Sequence, residues 1–347
     1  MTNPTPLAPT NPRPLIRQFL TTWLTSVEGQ LPPAWPELSP ADFAGLMGRL
    51  REPIQLLYNF VDQQKLSRNQ KLSVRLFGES ALALLRLDWQ QPSVYHQASP
   101  NYCQKIQGRP AASMQFDQLY CTPDSAERRV HRFAEELPQE GTRVLFLGDD
   151  DLLSIAADLH TNAELHMLDL DDRLLSFVGE RAPNVQLHKI DLEQGGIPDE
   201  MAGSFDAVFL DPPWDYMGCW FFLNKAIHCL KNDLNARIFL SFTPTYLEYK
   251  DRLMNHFWQR LGKLGLTVES MHPYFSLYDM APEVAPGYRQ HLDGYLPEID
   301  SPLLEILKKT PYAFSHLYVL RRLPYHRQNS LAQWWFQLWN RGSEIST

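Results

Sequence analysis

Aspartates stand immediately after four runs of strand-forming residues. Gly148-Asp149-Asp150-Asp151 follows RVLFL, Asp169-Leu170-Asp171-Asp172 follows AELHML, Asp191 follows NVQLHKI, and Asp211-Pro212-Pro213-Trp214-Asp215 follows FDAVFL. In a doubly wound sheet a ligand lies across the carboxyl ends of the strands, so side chains at these places can do chemistry. Asp169 comes 21 residues after Gly148, the interval at which an acid accepts hydrogen bonds from ribose hydroxyls. Asp191, one strand further on, is placed to meet the edge of an adenine. With Gly148 they outline an adenosine pocket. A single acid at a strand end is commonly a helix cap or turn former, and Asp151 and Asp172 read that way on their own. Repetition at successive strands carries the binding reading.

The first of these turns lacks the GxGxxG pattern that lets a backbone approach a pyrophosphate, and three consecutive carboxylates would repel one. NAD and ATP therefore fit poorly. S-adenosylmethionine has no phosphate but ends in a carboxylate, which also sits badly beside Asp149, Asp150 and Asp151. Its decarboxylated form ends in a bare ammonium, which an acidic turn attracts.

The strand-like runs alternate with helical patterns, LLSIAADLH, RLLSFVGERA and CWFFLNKAIHCL, and are followed by ARIFLSF; LTVESMHPYF and SHLYVLRR fit a closing antiparallel pair. The expected fold class is α/β, a Rossmann-like doubly wound sheet over residues 111–325. Residues 1–110 read as a small, mainly helical or winged-helix-like domain with a linker, from the three- and four-residue apolar spacing of PLIRQFLTTWLTSV and FAGLMGRLREPIQLLYNFVDQQ. Residues 326–347 read as an aromatic C-terminal helix with Leu331, Trp334, Trp335, Leu338 and Trp339 on one face. That face fits a cap over the core or a subunit contact, as in a homodimer.

The composition, 44% hydrophobic and 21% charged, is that of a soluble globular protein. No apolar run reaches membrane-spanning length, and prolines interrupt the N-terminal MTNPTPLAPTNPRP where a signal peptide would be continuously apolar. The expectation is a cytoplasmic protein with no membrane contact. Four dispersed cysteines and scattered histidines have no metal-ligand spacing, so no metal is expected. A net charge of −8, with the acidic excess after residue 110, attracts cations and disfavours nucleic acid.

The segments FDQLYCTPDSAERRVHRF, RVLFLGDDDLLSIAADL, LDLDDRLLSFV and FDAVFLDPPWD resemble the branched-chain polyamine synthases, the N4-bis(aminopropyl)spermidine synthase family, over residues 116 to about 320. The resemblance implies a sheet of the class I methyltransferase and aminopropyltransferase type behind the N-terminal domain. It also implies transfer of aminopropyl groups from decarboxylated S-adenosylmethionine to an amine nitrogen. It gives Asp151, the last acid of GDDD, the role of orienting or deprotonating the attacking nitrogen. Asp149 and Asp150 would hold cationic tails, Asp117 and Gln118 would line the same pocket, and Asp211 would face the acceptor. Family members carry an acid after the two prolines. Here Trp214 precedes Asp215, and a tryptophan can stack on a flat acceptor or on a cation.

The same DPPW segment supports a rival, an N-methyltransferase using intact S-adenosylmethionine, in which the polar groups hold the target amine and the ring stacks on a base. The acidic turn and acidic domain stand against that reading.

Overall fold

The run RVLFL forms β1 (Arg143–Leu147), with its apolar residues all buried. Val144 and Phe146 enter one core, Leu145 and Leu147 the other, as a strand covered on both faces requires. The computed structural model describes residues 13–29, 98–138, 140–194, 196–243, 251–278 and 313–323, with scattered residues between 56 and 78 and between 298 and 304.

The other strands are β2 (Glu164–Asp169), β3 (Gln186–Lys189), β4 (Ala207–Leu210), β5 (Arg237–Phe242), β6 (Leu266–Tyr278) and β7 (Ala313–Arg322). They form one seven-stranded sheet of order β3-β2-β1-β4-β5-β7-β6. β1 to β5 run parallel, and β7 is antiparallel to both β5 and β6. This is the doubly wound sheet with a closing antiparallel pair that the alternation implies.

The helices are α1 (Arg13–Glu28), α2 (Pro100–Lys105), α3 (Pro123–Glu136), α4 (Leu153–His160), α5 (Asp172–Arg181), α6 (Tyr216–Cys229) and α7 (Asp251–Lys263). α3, α4 and α5 bury Val130, Phe133, Ile155 and Leu174 in the core of Val144. α6 and α7 bury Trp220, Leu223, Phe257 and Leu261 in the core of Leu145. α7 was not anticipated, although Phe257 and Leu261 have helical spacing. α1 buries Ile16, Leu20, Trp23, Leu24 and Val27, the face that its spacing predicts. Most of the remaining N-terminal patterns and the aromatic helix expected at 326–347 lie outside the described residues. The short helix α2, within the segment read as a linker, is tied to the first strand-end turn: the Tyr102 hydroxyl donates to the carbonyls of Asp151 and Leu152 at 3.2 and 3.3 Å.

Register decides which strand ends meet. Leu147 pairs with Leu168 on one side and Leu210 on the other, so Gly148 emerges between Asp169 and Asp211. Successive strands lead away from β1 in opposite directions at this point, which opens a crevice between them. The turn itself is tight. Gly148 and Leu152 have φ of +71° and +60°, and the Asp149 carboxylate accepts the backbone N–H groups of Leu153 and Ser154 at 2.8 and 3.0 Å. Asp149 thus satisfies two of the donors that open α4. Asp149→Ala is expected to lower stability by about 1–3 kcal/mol, with Asp149→Asn in between because it keeps one acceptor oxygen. Urea unfolding of the two variants beside the parent chain checks this; equal midpoints would exclude the capping role.

Candidate active site

Asp215 caps α6, its Oδ1 accepting from the N–H groups of Met217 and Gly218 at 2.8 and 3.0 Å. That cap pins the Pro-Pro turn leaving β4. Across from it runs the chain before α3, where the Leu119 N–H donates to Asp150 Oδ2 at 3.2 Å. Asp117 sits in this chain at φ +52°, a left-handed conformation costing on the order of 1 kcal/mol for a residue with a side chain.

Between the two walls lies a cleft of about 280 Å³. Its lining carries four carboxylates, Asp117, Asp150, Asp211 and Asp215, and two aromatic rings, Trp214 and Tyr278. The rings meet edge to face with centroids 4.8 Å apart. Burial raises the Asp117 carboxyl above its usual range, and the charge of Asp215 adds to it. Asp150 is pushed well up, first by burial and then by Asp151, Asp211, Asp169 and Asp149.

Beneath the cleft floor is Arg129, its side chain 2% exposed. One of its nitrogens, Nη2, lies 2.7 Å from Asp151 Oδ2 and 3.0 Å from Asp211 Oδ2, and also donates to the Tyr278 hydroxyl at 3.0 Å. Nε donates to Ser276 Oγ at 2.9 Å. Tyr278 in turn donates to Asp211 Oδ2, and the Trp214 indole N–H reaches Asp211 Oδ1 at 3.3 Å. Burial raises the Asp211 carboxyl to about 7 although Arg129 opposes the rise. Arg129 reaches this place because α3 starts clamped to β6: the Thr122 N–H donates to the Leu277 carbonyl at 2.8 Å, and the Leu277 N–H to Ser125 Oγ at 3.1 Å.

On the other side of Gly148, Asp169 accepts the N–H groups of Asp171 and Asp149 at 2.8 and 3.0 Å. A carboxylate has about four acceptor positions, so capacity for ribose hydroxyls remains. Asp191 accepts from the N–H groups of Glu193 and Gln194 and stands at the neighbouring strand end.

Several expected roles change. Asp149 faces the start of α4 instead of the cleft, because two helix N–H groups offer it better partners than solvent does. Gln118 is buried and turned away from the cleft: its Nε2 donates to Asp171 at 3.0 Å, and its Oε1 accepts from the Ser113 N–H at 2.9 Å. Asp151, its side chain 1% exposed, lies under the floor against Arg129, with the Cys121 N–H on its Oδ1 at 2.5 Å; it caps no helix. Nor is Asp172 the cap of α5, which is Asp171; Asp172 pairs with Lys189 on the surface. Asp117, Asp150, Asp211, Trp214 and Asp215 do come together. Arg129 and Tyr278 were missed. A cation on the same helical face as the apolar Ala126, Val130 and Phe133 was the available signal for the first; Tyr278 lies just beyond the expected strand.

A family model described as the branched-chain polyamine synthase A C-terminal domain matches residues 98–279, just over half of the chain. The fold is similar to the crystal structure of the C9 mutein of Thermus thermophilus branched-chain polyamine synthase in complex with N4-aminopropylspermidine and 5′-methylthioadenosine. The TM-score is 0.53 and the identity 26%, over 64% of this chain and 62% of that one. The Thermus thermophilus synthase with the same two ligands gives a TM-score of 0.52 at 24% identity, over the same shares of the two chains, a likeness of fold. An uncharacterized protein of Methanocaldococcus jannaschii is 28% identical over 177 residues, 49% of this chain and 43% of that protein. The chain thus spans less than two thirds of the length of each of these relatives. The chain belongs to the branched-chain polyamine synthase A C-terminal domain family.

Proposed function

We propose that the protein is an aminopropyltransferase that moves an aminopropyl group from decarboxylated S-adenosylmethionine to a nitrogen of a small polycationic amine. One observation carries this reading: among the described residues, the cleft at the carboxyl end of the sheet is lined by four carboxylates and by no lysine or arginine. Ammonium groups need such partners, and anionic substrates would be repelled. Family membership and a relative solved with an aminopropylated polyamine and 5′-methylthioadenosine support it.

In the proposed reaction the acceptor nitrogen bonds to the methylene beside the sulfonium, the carbon–sulfur bond breaks, 5′-methylthioadenosine leaves, and the nitrogen's proton passes to a carboxylate. The chain's residues divide the remaining work. Asp169 and Asp191 hold the adenosine across Gly148. Asp117 and Asp215 hold a distal ammonium, and Trp214 offers its ring to the methylene chain or the cation. Asp150 and Asp211 flank the reacting nitrogen, whose lone pair must be free and in line. Asp211, with its carboxyl near 7, suits proton transfer at neutral pH. Asp151 acts from beneath, through Arg129 and Asp211. An N-methyltransferase built on the same DPPW would set the carboxylate of intact S-adenosylmethionine against these acids.

Calorimetric titration with the two forms of the donor is expected to favour the decarboxylated one. Preference for the intact form would overturn aminopropyl transfer and favour methyl transfer. In single-turnover assays with spermidine as acceptor, Asp211→Asn is expected to lower kcat by about 100-fold or more, the scale of general-base loss. Asp150→Asn is expected chiefly to raise the acceptor KM. An unchanged kcat in the first variant would exclude the proton-transfer role.

The pH dependence follows from the raised carboxyls. A bound polycation stabilises their ionised forms, so binding releases protons around neutral pH, and affinity rises from about pH 6 to about pH 8. The empty protein behaves oppositely: raised folded-state values stabilise the fold below the unfolded carboxyl range, and that contribution is lost as pH rises through about 7. Spermidine titrations in buffers of different ionisation enthalpy measure the released protons; uptake instead of release would contradict the cleft's assigned charge state.

A further inference from the structure

We propose that Arg129 is a positioning residue that holds Asp151 and Asp211 side by side with one proton shared between them, so that Asp211 meets the cleft as half of a proton-holding pair. The mechanistic consequence rests on the aminopropyltransfer reading; the shared proton itself does not.

The geometry comes first. One guanidinium nitrogen contacts an oxygen of each carboxyl, at 2.7 and 3.0 Å, so the two side chains converge on the same atom. Asp151 Oδ2 touches Arg129 yet accepts no well-aligned hydrogen bond, although it is fully buried. Leaving a buried carboxylate oxygen in that state is costly, and a proton between the two carboxyls removes the cost. Arg129 cannot drift toward one acid, because Ser276 holds its Nε and the Tyr278 hydroxyl its Nη2.

The charge count leads the same way. The groups facing the pair are Arg129 from α3, Asp149 and Asp150 from the turn after β1, Asp169 from β2, Tyr278 and Ser315 from β6 and β7, Trp214 from the turn after β4, Cys121 from the chain before α3, Tyr102 from α2 and Cys219 from α6. Among the described residues facing the pair, Arg129 is the one fixed cation. Two like charges this close in a buried site cannot both ionise fully against a single cation, as in other carboxyl dyads. During transfer Asp211 would accept the nitrogen's proton as the shared proton passes to Asp151, which leaves both carboxyls neutral beside the Arg129 cation until one proton is released to solvent.

Infrared titration of the full chain without substrate tests this. The parent protein is expected to show at neutral pH a protonated-carboxyl band with a component, beyond that of the other cleft acids, that is lost in both Asp151→Asn and Asp211→Asn. In Arg129→Lys, whose ammonium cannot bridge both acids in the same way, that component should persist to a pH about one unit higher. With spermidine and decarboxylated S-adenosylmethionine, the acidic limb of the kcat/KM profile of Arg129→Lys should move up by the same amount. Its kcat at neutral pH should fall about tenfold, and its acceptor KM should change less than kcat. A purely structural Arg129 would lower the unfolding midpoint and leave both titrations in place. A band unchanged in Asp151→Asn and Asp211→Asn overturns the proposal whether or not Arg129→Lys folds. A parent protein that shows the band but transfers no aminopropyl group would overturn the proposed reaction and leave the shared proton standing.

Discussion

One buried guanidinium between the buried Asp151 carboxyl and the half-buried Asp211 carboxyl is the constraint on which the cleft depends. Arg129 reaches Asp151 at the end of β1 and Asp211 at the end of β4, and those strands are adjacent in register. Without the cation, two acids from neighbouring strand ends would repel each other inside a low-dielectric crevice. The cost of dehydrating Arg129 is offset by hydrogen bonds that use both ends of the guanidinium. The long β6 supplies Ser276 and Tyr278, and the clamp of Thr122 and Ser125 on Leu277 sets the origin of α3.

The strand-end acids divide by what they face. Asp149, Asp169 and Asp171 accept backbone N–H groups and hold the turns in shape. Asp117, Asp150 and Asp211 line the cleft, and Asp215 both caps α6 and lines it. The acids therefore divide between two ends: some hold the turns through backbone hydrogen bonds, and others stand in the cleft where a cation would bind. Strain at Asp117 belongs to the same balance, since its left-handed backbone turns a carboxyl into the cleft.

Much of this was legible in the residues. Short continuous apolar runs and their alternation with helical spacing are set by local sequence, so β1 to β5, α4, α5 and α6 could be read from them. α7 was overlooked although its spacing was present. Among the site residues, Asp117, Asp150, Asp211, Trp214 and Asp215 were identifiable because each sits at a strand end or in a family motif. Asp149 and Gln118 were given the cleft because a one-dimensional motif says which residues are near a site, but not which way a side chain turns. Asp149 turns toward α4 because helix N–H groups lie there, and Gln118 toward Asp171.

The sequence by itself determined the sheet, the acidic character of its carboxyl edge and the absence of a pyrophosphate-binding turn, since these follow from residue type and short-range spacing. Only the tertiary structure decided that Asp151 lies beneath the floor and Asp211 in it, and that Arg129 and Tyr278, 149 residues apart, complete the site. Long-range packing brings α3 and the end of β6 against the β1 and β4 turns. Whether a carboxyl there is a cap, an ion-pair partner or a cleft wall depends on which donors that packing places within about 3 Å of it.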